Sequence, residues 1–265
     1  MAENPQAQKV YIVNNKRGTS SGDFGLDVQR GFVPGISFIN GFGRNAATTT
    51  GDAIWAVSSA FNEIQTAGVI AIVSTSTDDD GDPVGIGART LTLTGLNGSY
   101  DIVTETITMN GTTPVNTANS YVAVHRCFVA TAGSSATQVG TITGTQASAT
   151  PATEVLRLVI GYNQTQSAQY MVPRNHTAYM SSIDVAMQTV TANLTMDIGM
   201  FKKDFGGVFR IQDDFLLTGT GAGRQEQVFS APLKFEAKST ILFKCIAASA
   251  SADVEVDYDI WLVAD

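Results

Sequence analysis

The sequence is poor in the residues that carry out chemistry and in charge. Its 265 residues include two cysteines and two histidines, and charged side chains make up 15%, against roughly 25% in ordinary soluble domains. Neither His125 nor His176 lies in a nucleophile-elbow, zincin or kinase-like motif, and their spacing supplies no further metal ligands. We interpret His125 as a structural histidine within a strand and His176 as an exposed residue after a turn. The sequence therefore predicts no catalytic residues, no cofactor and no enzymatic activity.

Long apolar runs and an excess of basic charge are also missing. No uninterrupted apolar stretch approaches the roughly 20 residues of a membrane-spanning helix, and residues 1–9 lack the pattern of a signal peptide. The net charge is −8, which argues against binding to nucleic acid. We therefore expect a protein made in the cytoplasm, not exported by a classical route, with no membrane or nucleic-acid partner.

The two cysteines, Cys127 and Cys245, both lie in apolar, strand-like segments. Free cysteine is one of the most frequently buried residue types, and two cysteines do not make the dense framework of a disulfide-rich domain. We interpret both as buried free thiols, and a single disulfide between them is the alternative.

The sequence does have a strong β-strand pattern. In the segment Thr90–Thr117, threonine and aliphatic residues alternate, and the pairs Asn97-Gly98 and Asn110-Gly111 interrupt the alternation. β-Branched residues favour strands, and Asn-Gly between such runs is a strong signal for a hairpin turn. Similar short segments with turn signals recur along the chain. The predicted fold class is therefore all-β, an antiparallel β-sandwich or jelly roll.

The apolar residues of the first hairpin predict its register. They share one face only if odd-numbered positions pair with odd-numbered ones, because a shift of one residue turns every side chain to the other face. These residues are Leu91, Leu93, Val103, Ile107 and Met109. We therefore predict an odd loop, Asn97-Gly98-Ser99, with Gly98 left-handed beside a bulge. Glu105 falls on the apolar face, so we expect it near a sheet edge or against Arg89.

The remaining elements are predicted from short apolar or alternating segments. The expected strands are Val69–Thr75, Tyr121–Ala130, Val139–Thr143, Val155–Ile160, Ala168–Val172, Thr177–Ile183, Leu194–Phe201, Val208–Ile211, Gln227–Phe229 and Thr240–Ala247. In the last strand, the apolar positions Val254, Val256, Tyr258, Ile260 and Leu262 alternate with acidic ones. Apolar residues at helical spacing, ended by Gly68, predict a short helix over Ala53–Ala67.

We predict three consecutive parts of the chain. Residues 1–51 form an extended N-terminal arm, residues 52–146 a β domain with Asn-Gly hairpins, and residues 147–265 a jelly-roll-like C-terminal domain. The boundary between the two β domains is placed in Gly133–Pro151, which is rich in Thr, Ser, Ala and Gly. Whether the two halves form one sandwich or two stays open.

The predicted arm differs from the rest of the chain in its basic charge and its many glycines. We interpret it as a segment that buries its short apolar patches on another surface, and the alternative is an irregular first strand or two of the main domain. The candidate interface residues are Lys16, Arg17, Arg30, Phe32, Phe38 and Arg44. If the arm interpretation is right, a chain lacking residues 1–50 still folds.

The acidic string Asp78–Asp82 is the most metal-like motif. Asp78, Asp80 and Asp82 alternate around a glycine, which resembles the start of a calcium loop, but the position of the closing glutamate is occupied by Arg89. We treat the three aspartates as weak calcium candidates. The favoured alternative is an acidic hairpin loop without metal.

Two further features have both a binding and a structural interpretation. Trp55 and Trp261 could form a stacking platform for sugars, but Trp261 lies on the acidic side of the last strand, and we favour its burial against a second layer or a neighbour. Gly219–Arg224 resembles a phosphate-binding loop only in its glycine content. We interpret it as a mobile loop between strands.

The segment Ser74–Gly133 resembles a phrase found in virion structural proteins of tailed bacteriophages, especially marine ones. After an STS-acidic loop, it continues through a GARTxTxxGL strand (Gly87–Leu96) and a TETxxxNGTTPV hairpin (Thr104–Val115) to an NSYxxVxR strand (Asn119–Arg126). The later GYNQTQSAQYMVP segment (Gly161–Pro173) is similar as well. The resemblance implies a capsid-surface, fibre or tail component without catalytic residues.

The predicted function is that of a non-enzymatic virion structural protein, a capsid decoration or cement-type component. We expect it to assemble as a homo-oligomer, for which a trimer is one option, and to contact other virion proteins such as the major capsid protein. Two alternatives stay open: a tail, baseplate or fibre component, and a β-sandwich that binds host glycans. The predicted location is the virion.

Overall fold

The computed structural model describes residues 23–188, 193–219 and 222–265. This part of the chain contains one short helix, α1 (Phe24–Gln29), and is otherwise built from strands and loops, which confirms the all-β prediction. The strands are β1 (Ile36–Thr48), β2 (Glu63–Ile64), β3 (Ala71–Ser74), β4 (Ala88–Asn97), β5 (Ile102–Thr108), β6 (Val115–Asn116), β7 (Tyr121–Ala132), β8 (Ile142–Thr145), β9 (Ala149–Thr150), β10 (Glu154–Leu158), β11 (Gln169–Met171), β12 (His176–Gln188), β13 (Leu194–Lys203), β14 (Arg210–Gly219), β15 (Ala222–Phe235), β16 (Thr240–Ala248) and β17 (Ala252–Ala264).

Two of the sheets together form a jelly roll. One has the strand order β1-β17-β12-β15 and the other has the order β11-β16-β13-β14, and all neighbouring pairs are antiparallel. If the strands of these two sheets are numbered from one to eight in chain order, the sheet orders read 1-8-3-6 and 2-7-4-5. This is the connectivity of the eight-stranded, double-sheet jelly roll.

The core of the jelly roll is built from alternate residues of its strands. The five positions of β17 that were predicted to share an apolar face are all buried, and they are Val254, Val256, Tyr258, Ile260 and Leu262. They belong to one cluster with buried residues of the other sheet, including Met196, Ile198, Met200 and Phe243. The two-residue period of the sequence is therefore sufficient to place these strands in a sandwich.

A second β unit is inserted between the first two strands of the jelly roll. Between Thr48, the end of β1, and Gln169, the start of β11, the chain forms sheets of order β10-β8-β3-β6, β5-β4-β7 and β2-β9. We call residues 49–168 the insert. It has its own core, with buried residues that include Ile70, Leu93 and Leu158.

This arrangement corrects the prediction of three consecutive parts. β1 pairs with β17 from Ile36 opposite Val263 to Thr48 opposite Ala252, so residues 36–48 are a strand of the jelly roll and not an arm. The alternative, an irregular first strand, describes them correctly. The insert core reaches Leu158, beyond the boundary predicted at residue 147. The jelly roll is thus discontinuous in sequence, and residues 1–22 of the predicted arm lie outside the described residues.

Residues 53–67 do not form the predicted helix. The Ile54 amide donates to the Phe243 carbonyl (2.9 Å), and the Ile54 carbonyl accepts from the Ala168 amide (2.8 Å). The backbone therefore runs beside strands of the jelly roll. The Ile54 side chain is buried in the jelly-roll core, whereas Trp55 belongs to a separate cluster. The apolar spacing that predicted a helix comes from side chains that enter three different clusters, because Ile64 packs against the core of the insert.

The two cysteines are free and buried, as predicted. Cys127 lies in the core of the insert and Cys245 in the core of the jelly roll. Burial in apolar surroundings raises the pKa of the Cys245 thiol to about 11, so the protonated form is favoured.

The first Asn-Gly hairpin has the predicted parity. Leu91 pairs with Ile107, and the seven pairs between β4 and β5 all join residues of the same parity. The loop is Gly98-Ser99-Tyr100, one residue further along the chain than predicted, and the Asn97 amide donates to the Asp101 carbonyl at its base (3.0 Å).

The asparagine of this hairpin acts through its side chain. The Asn97 Oδ1 atom accepts from the amides of Ser99 (2.8 Å) and Asp101 (3.0 Å), so it holds the first residues of the turn. The left-handed residue is Tyr100, with φ of 66°, and not Gly98. The prediction placed the left-handed residue two positions too early.

The second Asn-Gly pair makes a turn but not a hairpin. Gly111 has a φ of 55°, and the Thr113 amide donates to the Asn110 carbonyl (2.9 Å). The strands on either side, β5 and β6, belong to different sheets. The turn therefore carries the chain from one sheet of the insert to another.

Glu105, the exception in the predicted register, is hydrogen-bonded to the segment that leads into β7. It accepts from the amides of Ala118 (2.7 Å) and Asn119 (3.2 Å) and from the Tyr121 hydroxyl (2.7 Å). β5 is an edge strand, so Glu105 lies near a sheet edge, which was one of the two expectations. Arg89 is not its partner, because the Arg89 Nε atom donates to the Gly85 carbonyl.

Candidate assembly surface

The acidic loop is organised around Asp79, an aspartate outside the set of calcium candidates. The Asp79 carboxylate is fully buried and accepts four hydrogen bonds. The donors are the Ser74 hydroxyl (2.5 Å) and the amides of Ala88 (2.7 Å), Val139 (2.9 Å) and Gly140 (2.9 Å). The carboxylate therefore joins three segments of the insert and serves as a structural link.

The three calcium candidates do not form a ligand set. Asp78 is exposed, and the Asp80 Oδ1 atom accepts from the Asp82 amide (2.9 Å). Within residues 23–188, 193–219 and 222–265, no group of three or more His, Cys, Asp or Glu side chains could hold a metal ion. The loop is held by hydrogen bonds to its own residues, among them the Gly85 amide to the Asp80 carbonyl (2.8 Å) and the Gly87 amide to the Asp78 carbonyl (2.8 Å).

His125 lies at the junction of the insert and the jelly roll, in the middle of β7. Its Nε2 atom is 2.9 Å from the Met171 carbonyl oxygen, and its ring stacks on Tyr170 with the centroids 4.3 Å apart. Burial lowers the pKa of His125 to about 4, so the imidazole is neutral at pH 7 and acts as a structural donor, as predicted. His176 begins β12, and its Nδ1 atom lies 2.9 Å from the Arg174 carbonyl.

The predicted interface residues that the structure describes have partners within the chain. Phe38 packs on Trp261 at 4.9 Å between ring centroids, and the Arg30 guanidinium lies 4.4 Å from the centre of the Phe32 ring. Arg44 forms ion pairs with Asp253 and Glu255 and donates to the Tyr162 hydroxyl. Lys16 and Arg17 lie outside the described residues.

Of the two tryptophans, Trp55 is buried and Trp261 is partly exposed, so they do not form a shared stacking platform. Trp55 is 2% exposed, and its indole nitrogen donates to the Ser59 carbonyl (2.9 Å). Trp261 is half-buried on the outer side of β17, where Phe24 of α1 lies 5.6 Å away and Phe38 of the neighbouring strand β1 lies 4.9 Å away between ring centroids. Burial against the other sheet is therefore wrong, and burial against a neighbouring subunit stays a prediction.

An apolar surface lies on the side of the jelly roll where β14 and β15 run. These two strands each end a sheet. Five large apolar side chains between residues 205 and 228 are exposed: Phe205 (61%), Val208 (70%), Ile211 (49%), Leu216 (55%) and Val228 (67%). We call β14, β15 and the loop of residues 204–209 the edge surface. Its two strands expose both of their faces over much of their length.

Only part of the edge surface has a feature that prevents its outer strand from pairing with another chain. In β15, residues 229–232 have no partner on β12, because the register moves from Val228 opposite Ser182 to Leu233 opposite Met180. Such a bulge, here with Pro232, is a device that prevents a strand edge from pairing with another chain. Residues 222–228 pair regularly with β12, so their outer edge has no bulge.

Only two short strands of this surface were predicted from the sequence. It predicted strands at Val208–Ile211 and Gln227–Phe229, and it interpreted Gly219–Arg224 as a loop. The structure ends β14 at Gly219 and begins β15 at Ala222, and residues 220 and 221 lie outside the described part. In β15, residues Arg224–Gln227 are polar on both faces, which removes the alternation that predicts a strand. That same pattern is the signal of an edge strand with both faces in solvent.

The described residues contain no helix with the length and apolar character that crossing a membrane requires. The fold and the edge surface together define a β protein that consists of a jelly roll with a large insert after its first strand.

No protein-family model matches the chain, and no curated protein matches it in sequence. Solved structures similar to it include the infectious bursal disease virus VP2 subviral particle, with 8% identity, a TM-score of 0.14, and coverage of 88% of this chain and 82% of that one. A structure of the Gx strain of that virus has 9% identity, a TM-score of 0.12 and coverage of 92% and 87%. The jelly-roll assignment rests on the strand order of the two sheets.

Proposed function

We propose that the protein is a non-enzymatic virion structural protein of a tailed bacteriophage, a capsid decoration or cement-type component that assembles as a homo-oligomer through the edge surface. The resemblance of Ser74–Gly133 to such virion proteins supports the virion role. The observation that carries the assembly part is the group of five apolar side chains exposed along β14, β15 and the preceding loop. Large exposed apolar side chains grouped on neighbouring elements are frequent at interaction sites.

The composition supports repeated contact with neighbouring subunits. With 15% charged residues, the surface has few groups that resist burial in an interface, because desolvation of a charge costs more than desolvation of an amide or hydroxyl. Symmetric assembly repeats each small contact many times, so modest contacts give a stable particle. The major capsid protein is the proposed partner outside the homo-oligomer. Host glycan is not part of this proposal, because Trp55 is buried and the Trp261 ring packs against Phe24 and Phe38.

The assembly surface can be tested with two valines of nearly equal exposure. Val228 on the edge surface is 67% exposed, and Val84 in the acidic loop of the insert is 65% exposed. We expect Val228→Asp to weaken self-association by at least about tenfold, because it removes apolar contact and buries a charge. Val84→Asp should leave the association unchanged. Light scattering after size-exclusion chromatography measures both, and a monomeric wild-type protein or equal behaviour of the two variants contradicts the proposal.

Copy number separates a capsid component from a tail, baseplate or fibre component. We expect hundreds of copies in each particle, because a decoration protein follows the repeated lattice of the shell. Quantitative mass spectrometry of purified virions measures this ratio against the major capsid protein. A few to a few dozen copies point to the tail instead.

A further inference from the structure

Residues 222–228 of β15 form a free strand edge. They pair with β12 on one side, from Ala222 opposite Gln188 to Val228 opposite Ser182, and β15 is the last strand of its sheet. On the other side, no strand of the described chain pairs with them. Residues 224–228 are all exposed. Such an edge presents unpaired N–H and C=O groups, with which a strand of another chain can pair.

A second copy of the chain offers the same strand. A two-fold axis perpendicular to the sheet places two β15 strands side by side in antiparallel orientation, and the faces of the two sheets then continue into each other. Directly opposite residues lie on the same face of a sheet, so each pair joins residues of the same parity. One residue of β15 therefore lies on the axis, opposite its own copy, and its identity defines the register.

The charges of the segment indicate which residue lies on the axis. Arg224 and Glu226 pair with Ala186 and Asp184 of β12, which lie on the face opposite the buried positions of that strand. With Gln225 on the axis, Arg224 of each copy lies opposite Glu226 of the other. The strand is then complementary to itself at two symmetric charge pairs.

The neighbouring registers do not pair these charges. With Arg224 on the axis two arginines meet, and with Glu226 on the axis two glutamates meet. With Gly223 or Gln227 on the axis, neither charge lies opposite its complement. Like charges directly opposite each other destabilise a sheet. Charge complementarity therefore favours the register with Gln225 on the axis.

Glu226 lacks a cation within its own molecule. It pairs directly with Asp184 across β15 and β12, and it has no ion pair among the described residues. Arg224 binds Asp184, with 2.9 Å between Nε and Oδ1. The Arg224 side chain is 69% exposed, and its guanidinium has five N–H donors. Arg224 of a second copy would therefore supply the cation that Glu226 lacks.

We propose that two copies of the chain pair residues 222–228 of β15 antiparallel about a two-fold axis at Gln225, which joins two four-stranded sheets into one continuous sheet. The pairing also sets Val228, which is 67% exposed, opposite Ala222 of the other copy. The bulge after Val228 ends the paired segment. This inference rests on the proposed assembly through the edge surface and adds the partner strand and the register.

Charge reversal tests the pairing. Arg224→Glu and Glu226→Arg each place like charges at both symmetric positions of the contact, and we expect each variant to weaken self-association about tenfold. An equal mixture of the two variants restores opposite charges at both positions, so its dissociation constant should return to the wild-type value. Analytical ultracentrifugation measures these dissociation constants. Rescue by mixing also excludes a folding defect, which a second defective chain would not repair.

The outcomes separate this inference from the proposed function. If both charge variants associate like the wild type while Val228→Asp associates more weakly, the strand pairing is overturned and assembly through the edge surface stands. A mixture that associates no better than each variant alone also overturns the pairing. A monomeric wild-type protein overturns both.

Cysteine crosslinking tests the register. Gln225→Cys places two thiols directly opposite each other, where Cβ atoms lie about 4.5–5.5 Å apart, near the span of a disulfide. Gln227→Cys is the matched control on the same strand and face, because its two copies lie four residues apart, about 13 Å. The native cysteines, Cys127 and Cys245, are buried. We expect mild oxidation to give a covalent dimer of Gln225→Cys alone, seen on a non-reducing gel. Equal crosslinking of the two variants, or none in Gln225→Cys, overturns this register.

Discussion

The jelly roll and the insert provide hydrogen-bond partners for their backbone groups in different ways. In the jelly roll, strands β12 to β17 are 9 to 14 residues long and pair along most of their length. In the insert, apart from β4 and β7, the strands have two to seven residues. A short strand leaves many backbone groups without a ladder partner, and buried groups of this kind need another one.

Polar side chains supply these partners in the insert. Asn62 donates to the Glu154 carbonyl (2.7 Å), Gln146 donates to the Thr66 carbonyl (2.8 Å), and Gln138 donates to the Leu158 carbonyl (2.8 Å). The comparison teaches that regular ladders stabilise the jelly roll, whereas single buried side chains stabilise the insert. The two halves should therefore respond differently to loss of a strand and to loss of one polar group.

Removal of β1 should have the largest effect, because it deletes a ladder of the jelly roll. We expect a chain without residues 1–50 to lose cooperative folding of the jelly roll, since β17 then loses the strand that pairs with it from Ile36 to Thr48. A chain without residues 1–22 should unfold cooperatively near the wild-type temperature. Circular dichroism during heating compares the two, and a cooperative melt for the longer deletion would show that β1 is dispensable. This corrects the expectation that a chain lacking residues 1–50 still folds.

Loss of the Asp79 carboxylate should have the next largest effect, and it tests the insert. Asp79→Asn replaces one acceptor with an amide donor, so at least one buried backbone amide loses its partner. We expect a destabilisation of about 3–5 kcal/mol, the range for breaking a buried charged network. Asp78→Asn, at the exposed neighbouring position, should change stability by less than about 0.5 kcal/mol. Equal urea midpoints for the two variants would remove Asp79 from its structural role.

The same comparison explains which parts of the fold the sequence could predict. β17 was predicted because its two faces differ, with Val254, Val256 and Tyr258 inside and acidic residues outside. The parity of the Leu91 hairpin followed from the same rule. The discontinuous jelly roll was not predictable in this way, because pairing of β1 with β17 joins residues more than 200 positions apart and no local pattern records it.

The candidate site was predicted less well than the fold, for a related reason. The sequence pattern indicated Asp78, Asp80 and Asp82 as metal candidates, whereas the buried structural carboxylate is their neighbour Asp79. Alternation alone does not show which aspartate points inward. The edge surface was missed in part because residues Arg224–Gln227 of β15 are polar on both faces. The helix predicted around Ile54 failed because its apolar residues pack into three separate clusters, whereas one face of a helix packs against one.

His125 at the junction should make stability depend on pH. Its pKa is lowered to about 4 in the folded protein and is about 6.5 in an unfolded chain, so the unfolded state binds the proton more readily. The stabilisation is complete above pH 6.5 and is lost as the pH falls towards 4, by about 2–3 kcal/mol. His125→Gln should flatten this part of the pH profile, measured by urea unfolding, whereas His176→Gln should retain it. A parallel profile for His125→Gln would assign the pH dependence to other groups.

The smallest expected effect is at Glu105, a half-buried carboxylate on the edge strand β5 of the insert. It can be compared with a surface ion pair of the jelly roll. Glu105→Gln places an amide donor where the carboxylate accepts from Ala118, Asn119 and Tyr121, and we expect a loss of about 1–2 kcal/mol in urea unfolding. The control, Glu236→Gln, removes an exposed pair with Lys234 and should cost less than about 0.5 kcal/mol. Equal losses in the free energy of unfolding would mean that Glu105 stabilises the insert no more than a surface ion pair stabilises the jelly roll. The contrast between the two halves would then rest on Asp79 alone.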